Sequence, residues 1–152
     1  MGGGCELAIF CDVIIASEKA KFAQPEIAVG VYPPVAIAYL QGRCPDKFVY
    51  DFLLTGRTVK AEEALKVGLI SRMVPDDYFE GGVEKYIKEF SKNSGTTLML
   101  TKKALKNSRG REFTEALKIV EEIYIDELME TSDAHEGLNA FLEKREPEYK
   151  NC

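Results

Sequence analysis

The chain has 152 residues, of which 45% are hydrophobic and 30% charged, with a formal net charge of −5. That composition buries a core and excludes a disordered segment, while the negative balance excludes a general nucleic-acid or anionic-membrane surface, because such partners need clustered Lys and Arg. Local basic residues can still meet one phosphorylated ligand.

The first residues are Gly2-Gly3-Gly4, running at once into an apolar stretch with no basic n-region, so no signal peptide is expected. The abrupt beginning is that of a chain in mid-fold. Glu6–Cys11 suits a short buried helix whose N-terminus is the glycine run. Asp12–Ser17, rich in β-branched residues, reads as a buried strand. After a turn at 17–19, Lys21–Ala23 resumes a short strand, and Gln24-Pro25-Glu26 begins a loop, since proline holds the preceding residue extended. Val29–Leu40 is too short to span a bilayer and is broken by Pro33-Pro34. A soluble, cytoplasmic protein is expected.

Val35–Leu40 predicts a short helix with proline near its first turn, and Asp46–Leu54 another, started by Pro45-Asp46 and stopped by Gly56. A helix over Ala61–Val67 closes at Gly68, and Leu69–Val74 reads as a strand. From Tyr78 onward the period is helical throughout: Tyr78–Ser91, Thr96–Lys106, Glu112–Met129, and Ser132–Lys144 starting on a capping-type serine. The first half is therefore mixed α/β and the second all helical, with a boundary near Ser91–Gly95 that separates 1–92 from 93–152.

Four cysteines, Cys5, Cys11, Cys44 and Cys152, form no C-x-x-C pair, and His135 is the sole histidine, so no metal set is legible. Cys5 and Cys11 read as small buried apolar residues of a reducing compartment. His135 and the Lys102-Lys103-x-x-Lys106 run read as solvated helix surface.

Two carboxylates stand where acids are unusual. Glu6 follows the glycines inside an apolar stretch, and Glu26 follows a proline and leads into Ile27-Ala28-Val29. Burial would suit either to general acid or base work. Each also has a plainer role: Glu6 as a helix N-terminal acid favoured by the macrodipole, Glu26 as an exposed loop acid. The glycine run could present unpaired N–H groups to a ligand oxygen. That would be one half of an oxyanion hole, roughly 3–4 kcal/mol of barrier per donor. It could equally be a flexible glycine-rich segment. The spacing is not a dinucleotide or Walker fingerprint.

These blocks carry a resemblance. Gly2-Gly3-Gly4-Cys5-Glu6-Leu7-Ala8, Cys11-Asp12 and Phe22-x-Gln24-Pro25-Glu26-Ile27-x-x-Gly30 resemble the enoyl-CoA hydratase (crotonase) signature. So do Leu54-Thr55-Gly56-Arg57, Ala61-x-x-Ala64-x-x-x-Gly68-Leu69-Ile70 and Glu136-Gly137-x-x-Ala140-Phe141-x-Glu143-Lys144-Arg145. The resemblance covers essentially the whole chain.

It implies an α/β fold: the C-terminal half of a crotonase-like ββα spiral over 1–92, then an all-helical oligomerisation module over 93–152 that builds trimers and hexamers. It implies that Glu6 and Glu26 are the catalytic pair holding the water added across the α,β double bond of an acyl-CoA thioester. Gly3 would stabilise the thioester enolate, and Phe141 and Lys144 would touch the CoA of a neighbouring subunit. No metal or redox cofactor is implied.

Family chains are nearly twice as long, so the chain is expected to be a fragment, inactive by itself. After Gly30 the family is glycine-rich, whereas this chain reads Val31-Tyr32-Pro33-Pro34-Val35-Ala36, with Pro34 where hydratases place a glycine N–H on the catalytic water. That stretch resembles hydratases of cyclic dienoyl-CoA, such as cyclohexa-1,5-diene-1-carbonyl-CoA, in anaerobic aromatic degradation. Tyr32 is expected to line the acyl pocket or to pack in the core. Two other readings stand beside hydration: an isomerase of the same family, which often lacks one acid, and an inactive helical oligomerisation module.

Overall fold

In the computed structural model, which describes residues 1–152, the β-branched run after Asp12 becomes β1 (Ile15–Ser17) and the next apolar pair becomes β2 (Lys21–Phe22). Both find partners far along the chain. β2 pairs antiparallel with β3 (Val59–Lys60), Phe22 opposite Val59, and β1 runs parallel to β4 (Arg72–Val74), Ile15 opposite Arg72. Parallel pairing requires a long crossover, and the crossover here carries α2 (Pro34–Leu40), α3 (Asp46–Thr55) and α4 (Ala61–Lys66), after α1 (Gly3–Phe10) at the start.

The strands are shorter than the apolar runs predict, for identifiable reasons. Asp12 and Val13 are exposed, and Ile14 gives its N–H to Ser71 Oγ at 3.2 Å rather than to a strand. Leu69 and Ile70 turn inward, both N–H groups on the Ala64 carbonyl at 2.8 and 3.3 Å. The β3 pair, just ahead of the helix expected over Ala61–Val67, exists because Val59 is fully buried opposite Phe22. Gln24-Pro25-Glu26 is not a loop: Pro25–Val29 forms a 3-10 turn that ends on the left-handed Gly30.

One face of α3, Phe48, Val49 and Phe52, enters the core, with the two rings stacked 5.4 Å apart at the i,i+4 spacing. Cys5, Ile9, Ala36, Leu40 and Ala64 join it. Cys44 is buried as well, whereas Cys11, expected inside, is exposed and its thiol faces the Leu7 carbonyl at the end of α1. Arg57 ties α3 to α4: its guanidinium pairs with Asp51 and, through both Nη atoms, with Glu63, whose carboxyl the Arg57 hydrogen bonds hold below the usual range.

The chain forms two units, 1–84 and 85–152, that divide within α5 (Phe79–Ser91); the boundary expected near Ser91–Gly95 lies at that helix's C-terminal end. The second unit contains α6 (Gly95–Ser108), α7 (Phe113–Ile123) and α8 (Ser132–Glu143). The single helix expected over Glu112–Met129 is instead α7 followed by a π turn, Tyr124–Leu128, with Met129 N–H on the Tyr124 carbonyl at 3.0 Å. In an α-helix a residue five positions on has rotated roughly 140° away. The wider turn returns Leu128 toward the face of buried Ile123 and leaves Tyr124 and Ile125 exposed. Lys103, expected to be merely solvated, pairs from α6 with Glu127 in that turn. The residue capping α8 is Thr131, whose hydroxyl accepts the Ala134 N–H at 3.1 Å; Ser132 lies inside the helix and bonds the Cys152 carbonyl.

The best-buried polar group of this unit is Asp133, 2% exposed. Its carboxylate accepts from Ser94 Oγ at 2.5 Å and from the backbone N–H groups of Lys150 and Asn151 at 2.7 and 2.9 Å, so the last residues strap across the starts of α6 and α8. Burial pushes its carboxyl up, but those three donors outweigh burial and hold it below the usual range. A depressed folded value means that the stabilisation is fully present above the unfolded Asp value and is lost as pH falls through the lowered one. In an NMR pH titration, the amide signals of Lys150 and Asn151 should therefore hold through the ordinary Asp range and move together only below it. Movement at the ordinary value would show that the strap is not held by Asp133.

Candidate active site

The glycine run forms the start of α1. Gly2 caps it at φ 56° and ψ −135°, a conformation open to glycine, and donates its N–H to the Ala23 carbonyl at 2.9 Å. Gly3 and Gly4 occupy the first turn, where an N–H has no partner inside the helix. A Cβ at either would meet nothing within 4 Å, so packing in this chain does not demand glycine there. The N–H groups of both residues lie in that first turn, ahead of the helix's own hydrogen-bond ladder.

Glu6 sits in the same first turn and is half-buried. Its Oε1 accepts the backbone N–H of Ala36 at 3.0 Å. That donor lies in the first turn of α2, which opens on Pro33-Pro34, two residues without an N–H and without a capping side chain. Glu6 thus caps a helix thirty residues away in sequence.

Glu26 stands at the start of the 3-10 turn, also half-buried, with Oε1 3.1 Å from where a Gly2 Cβ would lie and Oε2 buried without a hydrogen-bond partner. Beside it Gln24 is completely buried, and neither its Oε1 nor its Nε2 is bonded. The segment is fixed from below by Gly56, the left-handed C-cap of α3 at φ 64°. A Cβ on Gly56 would lie 2.9 Å from Ile27 Cγ2 and 3.1 Å from the Gln24 carbonyl oxygen.

Both acids act on one thiol. Burial pushes Cys5 up; the chain's amino terminus and a hydrogen bond with Ala23 oppose this, and Glu26 and Glu6 each add to the rise. The glycine run, Glu6 and Glu26 are therefore one neighbourhood, built from α1, the start of α2 and the 3-10 turn. Chemically it holds one carboxylate anchored on a helix N-terminus, a second with an unbonded buried oxygen, and a pair of N–H donors. No group of three or more His, Cys, Asp or Glu side chains is arranged to hold a metal ion.

Of the remaining sequence candidates, Pro34 is the exposed first residue of α2 and Tyr32 is 67% exposed, which rules out a core role for Tyr32 within this chain. Phe141 and Lys144 belong to the second unit, together at the end of α8. Sequence reasoning gave no role to Ala36 or Gln24. Pro33-Pro34 was a usable signal for the first, since a helix opened by two prolines has no capping side chain for the N–H groups of its first turn. Nothing local marks Gln24.

The sequence profile described as enoyl-CoA hydratase/isomerase matches residues 1–152. The chain is similar to a probable enoyl-CoA hydratase of Rhizobium meliloti, 42% identical over 156 residues that cover 99% of this chain and 59% of that protein. It is 32% identical over 151 residues to the 2,3-dehydroadipyl-CoA hydratase of Escherichia coli, covering 99% and 59%. Among solved structures, an enoyl-CoA hydratase from Bacillus anthracis matches with a TM-score of 0.93 at 30% identity, over 99% of this chain and 58% of that one. The chain spans about three-fifths of the length of the curated relatives it matches.

Two glycine substitutions separate open space from tight packing. Gly3→Ala should leave stability unchanged or raise it by up to about 1 kcal/mol, as alanine does in a helix. Gly56→Ala should destabilise by more than about 1 kcal/mol, because the positive φ and the Gln24 carbonyl both resist a Cβ. Urea unfolding of the two variants checks this, and equal losses would contradict the open first turn of α1.

Proposed function

The chain belongs to the enoyl-CoA hydratase/isomerase family, and from that premise we propose that it carries the acid–base side of a site that adds water across the α,β double bond of an enoyl-CoA thioester. One observation carries the reading: two half-buried glutamates, Glu6 anchored on the Ala36 N–H and Glu26 with an unbonded buried oxygen, stand beside the glycine run that begins α1. In this mechanism the two carboxylates hold one water. One takes a proton from its oxygen as that oxygen bonds to the β-carbon, and the other delivers a proton to the α-carbon. The Gly3 N–H stabilises the negative charge on the thioester oxygen in between. The chemistry calls for no metal or redox cofactor. Because the relatives are longer, the activity is assigned to the protein at its full length.

A narrower substrate is supported by Pro34, which begins α2 without an N–H where a hydratase glycine would donate to the water. With Tyr32 exposed beside it, this stretch supports cyclohexa-1,5-diene-1-carbonyl-CoA as the proposed acyl class. Phe141 and Lys144 are assigned to the CoA moiety of a neighbouring subunit. Association as a trimer or hexamer is supported by the exposed apolar side chains of α6–α8, among them Leu105, Phe113, Leu142 and Phe141. A reducing, cytoplasmic setting is supported by four unpaired cysteines, and no helix is long and apolar enough to cross a membrane.

Replacing either Glu6 or Glu26 by Gln is expected to lower turnover of the preferred thioester by about 10²–10⁴-fold with little change in CoA affinity. Gln keeps the volume but exchanges no proton at neutral pH. Turnover of the cyclic dienoyl and linear enoyl thioesters, read by product formation, decides three points. Near-normal activity in both variants would sink the two-glutamate mechanism, and a single silent glutamate would favour an isomerase. A preference for linear substrates would remove the cyclic acyl class.

Self-association has its own test. Sedimentation of the chain at micromolar concentration should show species larger than a monomer. A purely monomeric profile would count against the helical module as an assembly device.

A further inference from the structure

Lys144 occupies a conformation that its side chain disfavours. It ends α8 at φ 57° and ψ 40°, and with Asn151 it is one of two non-glycine residues at positive φ. The comparable left-handed caps after the 3-10 turn and α3 are both glycines, Gly30 and Gly56, as sterics favour. The helix end itself is satisfied: the N–H groups of Lys144 and Arg145 reach the carbonyls of Phe141 and Ala140 at 3.3 and 3.0 Å.

What surrounds the turn is a clamp. The Arg145 guanidinium reaches back nine residues to Glu136, Nη1 to Oε1 at 2.5 Å and Nη2 to Oε2 at 3.0 Å, while its Nε bonds Glu143 at 2.6 Å. Glu136 Oε1 also accepts the N–H of Glu148 at 2.8 Å. Residues on both sides of Lys144 are thereby tied to the preceding turns of the helix. The Arg145 hydrogen bonds, with the Glu148 N–H second, pull the Glu136 carboxyl down to about 2, as a fully engaged carboxylate requires.

The clamp also decides what Lys144 does not do. Glu136 and Glu143, the acids nearest on the helix, are taken by Arg145, and the Lys144 ammonium pairs with neither. Three residues earlier Phe141 is 81% exposed. An unpaired cation and an open aromatic ring thus stand together on a turn held by a bidentate ion pair. An anionic group with a flat ring, such as the phosphorylated adenosine end of CoA, matches both.

We infer that Glu136 is a positioning residue: through Arg145 it holds Lys144 in the left-handed conformation and so sets the direction of the ammonium toward a phosphate. The inference rests on the assignment of Phe141 and Lys144 to CoA made above. Neither Glu136 nor Arg145 touches the ligand in this arrangement. Their effect is preorganisation, which removes the ordering of a flexible lysine from the binding step.

The test uses the 152-residue chain, adenosine 3′,5′-bisphosphate as probe, and NMR, which reads binding from amide shifts and the sign of φ at Lys144 from its one-bond Cα–Hα coupling. The unsubstituted chain should bind with shifts at Phe141 and Lys144, and Lys144→Gly should abolish those shifts while the turn stays left-handed. Glu136→Gln and Arg145→Gln sever the clamp from opposite sides. Both should lose the positive φ at Lys144 and weaken binding about tenfold, with the amide spectrum of α6 and α7 unchanged. Retained φ and retained affinity in both variants would overturn the positioning role while leaving the CoA assignment standing. Bisphosphate shifts in the unsubstituted chain that spare Phe141 and Lys144 would instead overturn the CoA assignment, and the positioning role with it.

Discussion

The hydrogen bond from Ala36 N–H to Glu6 Oε1 is the contact on which the first unit's site depends. A helix begun by Pro33-Pro34 has no capping side chain of its own, and Ala36 is completely buried, so its N–H has no water to turn to. A buried donor left unmade is penalised by about 1–3 kcal/mol. A carboxylate from α1 supplies the acceptor and gains from the positive end of the helix it caps. One bond therefore fixes the orientation of a glutamate, joins α1 to α2 and makes the proline pair tolerable.

The second glutamate is placed by a different constraint, close packing of backbone. Glu26 follows Gln24-Pro25, and that segment lies on Gly56 with no room for a Cβ between them. The glycine ending α3 is needed twice, for its left-handed φ and for its lack of a side chain. Arg57, the next residue, pairs with Asp51 and Glu63 and holds the α3–α4 corner in place. Glu26 is thus supported by a rigid corner, while Glu26 Oε2 and the Gln24 amide stay unbonded in the interior. Unsatisfied polar atoms are rare in native interiors and collect where chemistry is done or where a further partner contributes.

The second unit is organised by polar contacts more than by its core, since Leu100, Ile123 and Ala140 are its buried apolar residues. Asp133 gathers the starts of α6 and α8 with the C-terminal residues, Lys103 and Glu127 fasten the π turn to α6, and Arg145 locks the end of α8. Much of the apolar surface of these helices faces outward, Phe113 and Phe141 among the most exposed. Directional bonds can hold such helices in register while their apolar faces remain available to another surface.

Most helices, the glycine that ends α3 and the change from mixed to helical structure were legible in the residues because they rest on local rules: 3.6-residue periodicity, proline at a helix start and glycine at its end. The two glutamates and the glycine run were legible as well, since an acid within an apolar stretch is a local anomaly. What each glutamate does was not. Glu6 is anchored by a residue thirty positions away, and the residues flanking Glu26 pack on Gly56, far along the chain, so neither partner stands near its glutamate in sequence. The same limit explains the two-residue β3 strand, which exists only because Phe22 lies opposite Val59, and the π turn, which follows from the need to keep Ile123 and Leu128 on one face. Local propensity decides which elements can form. Where they stop, and which polar atom each one satisfies, is decided by desolvation and close packing between segments that meet only in the folded chain.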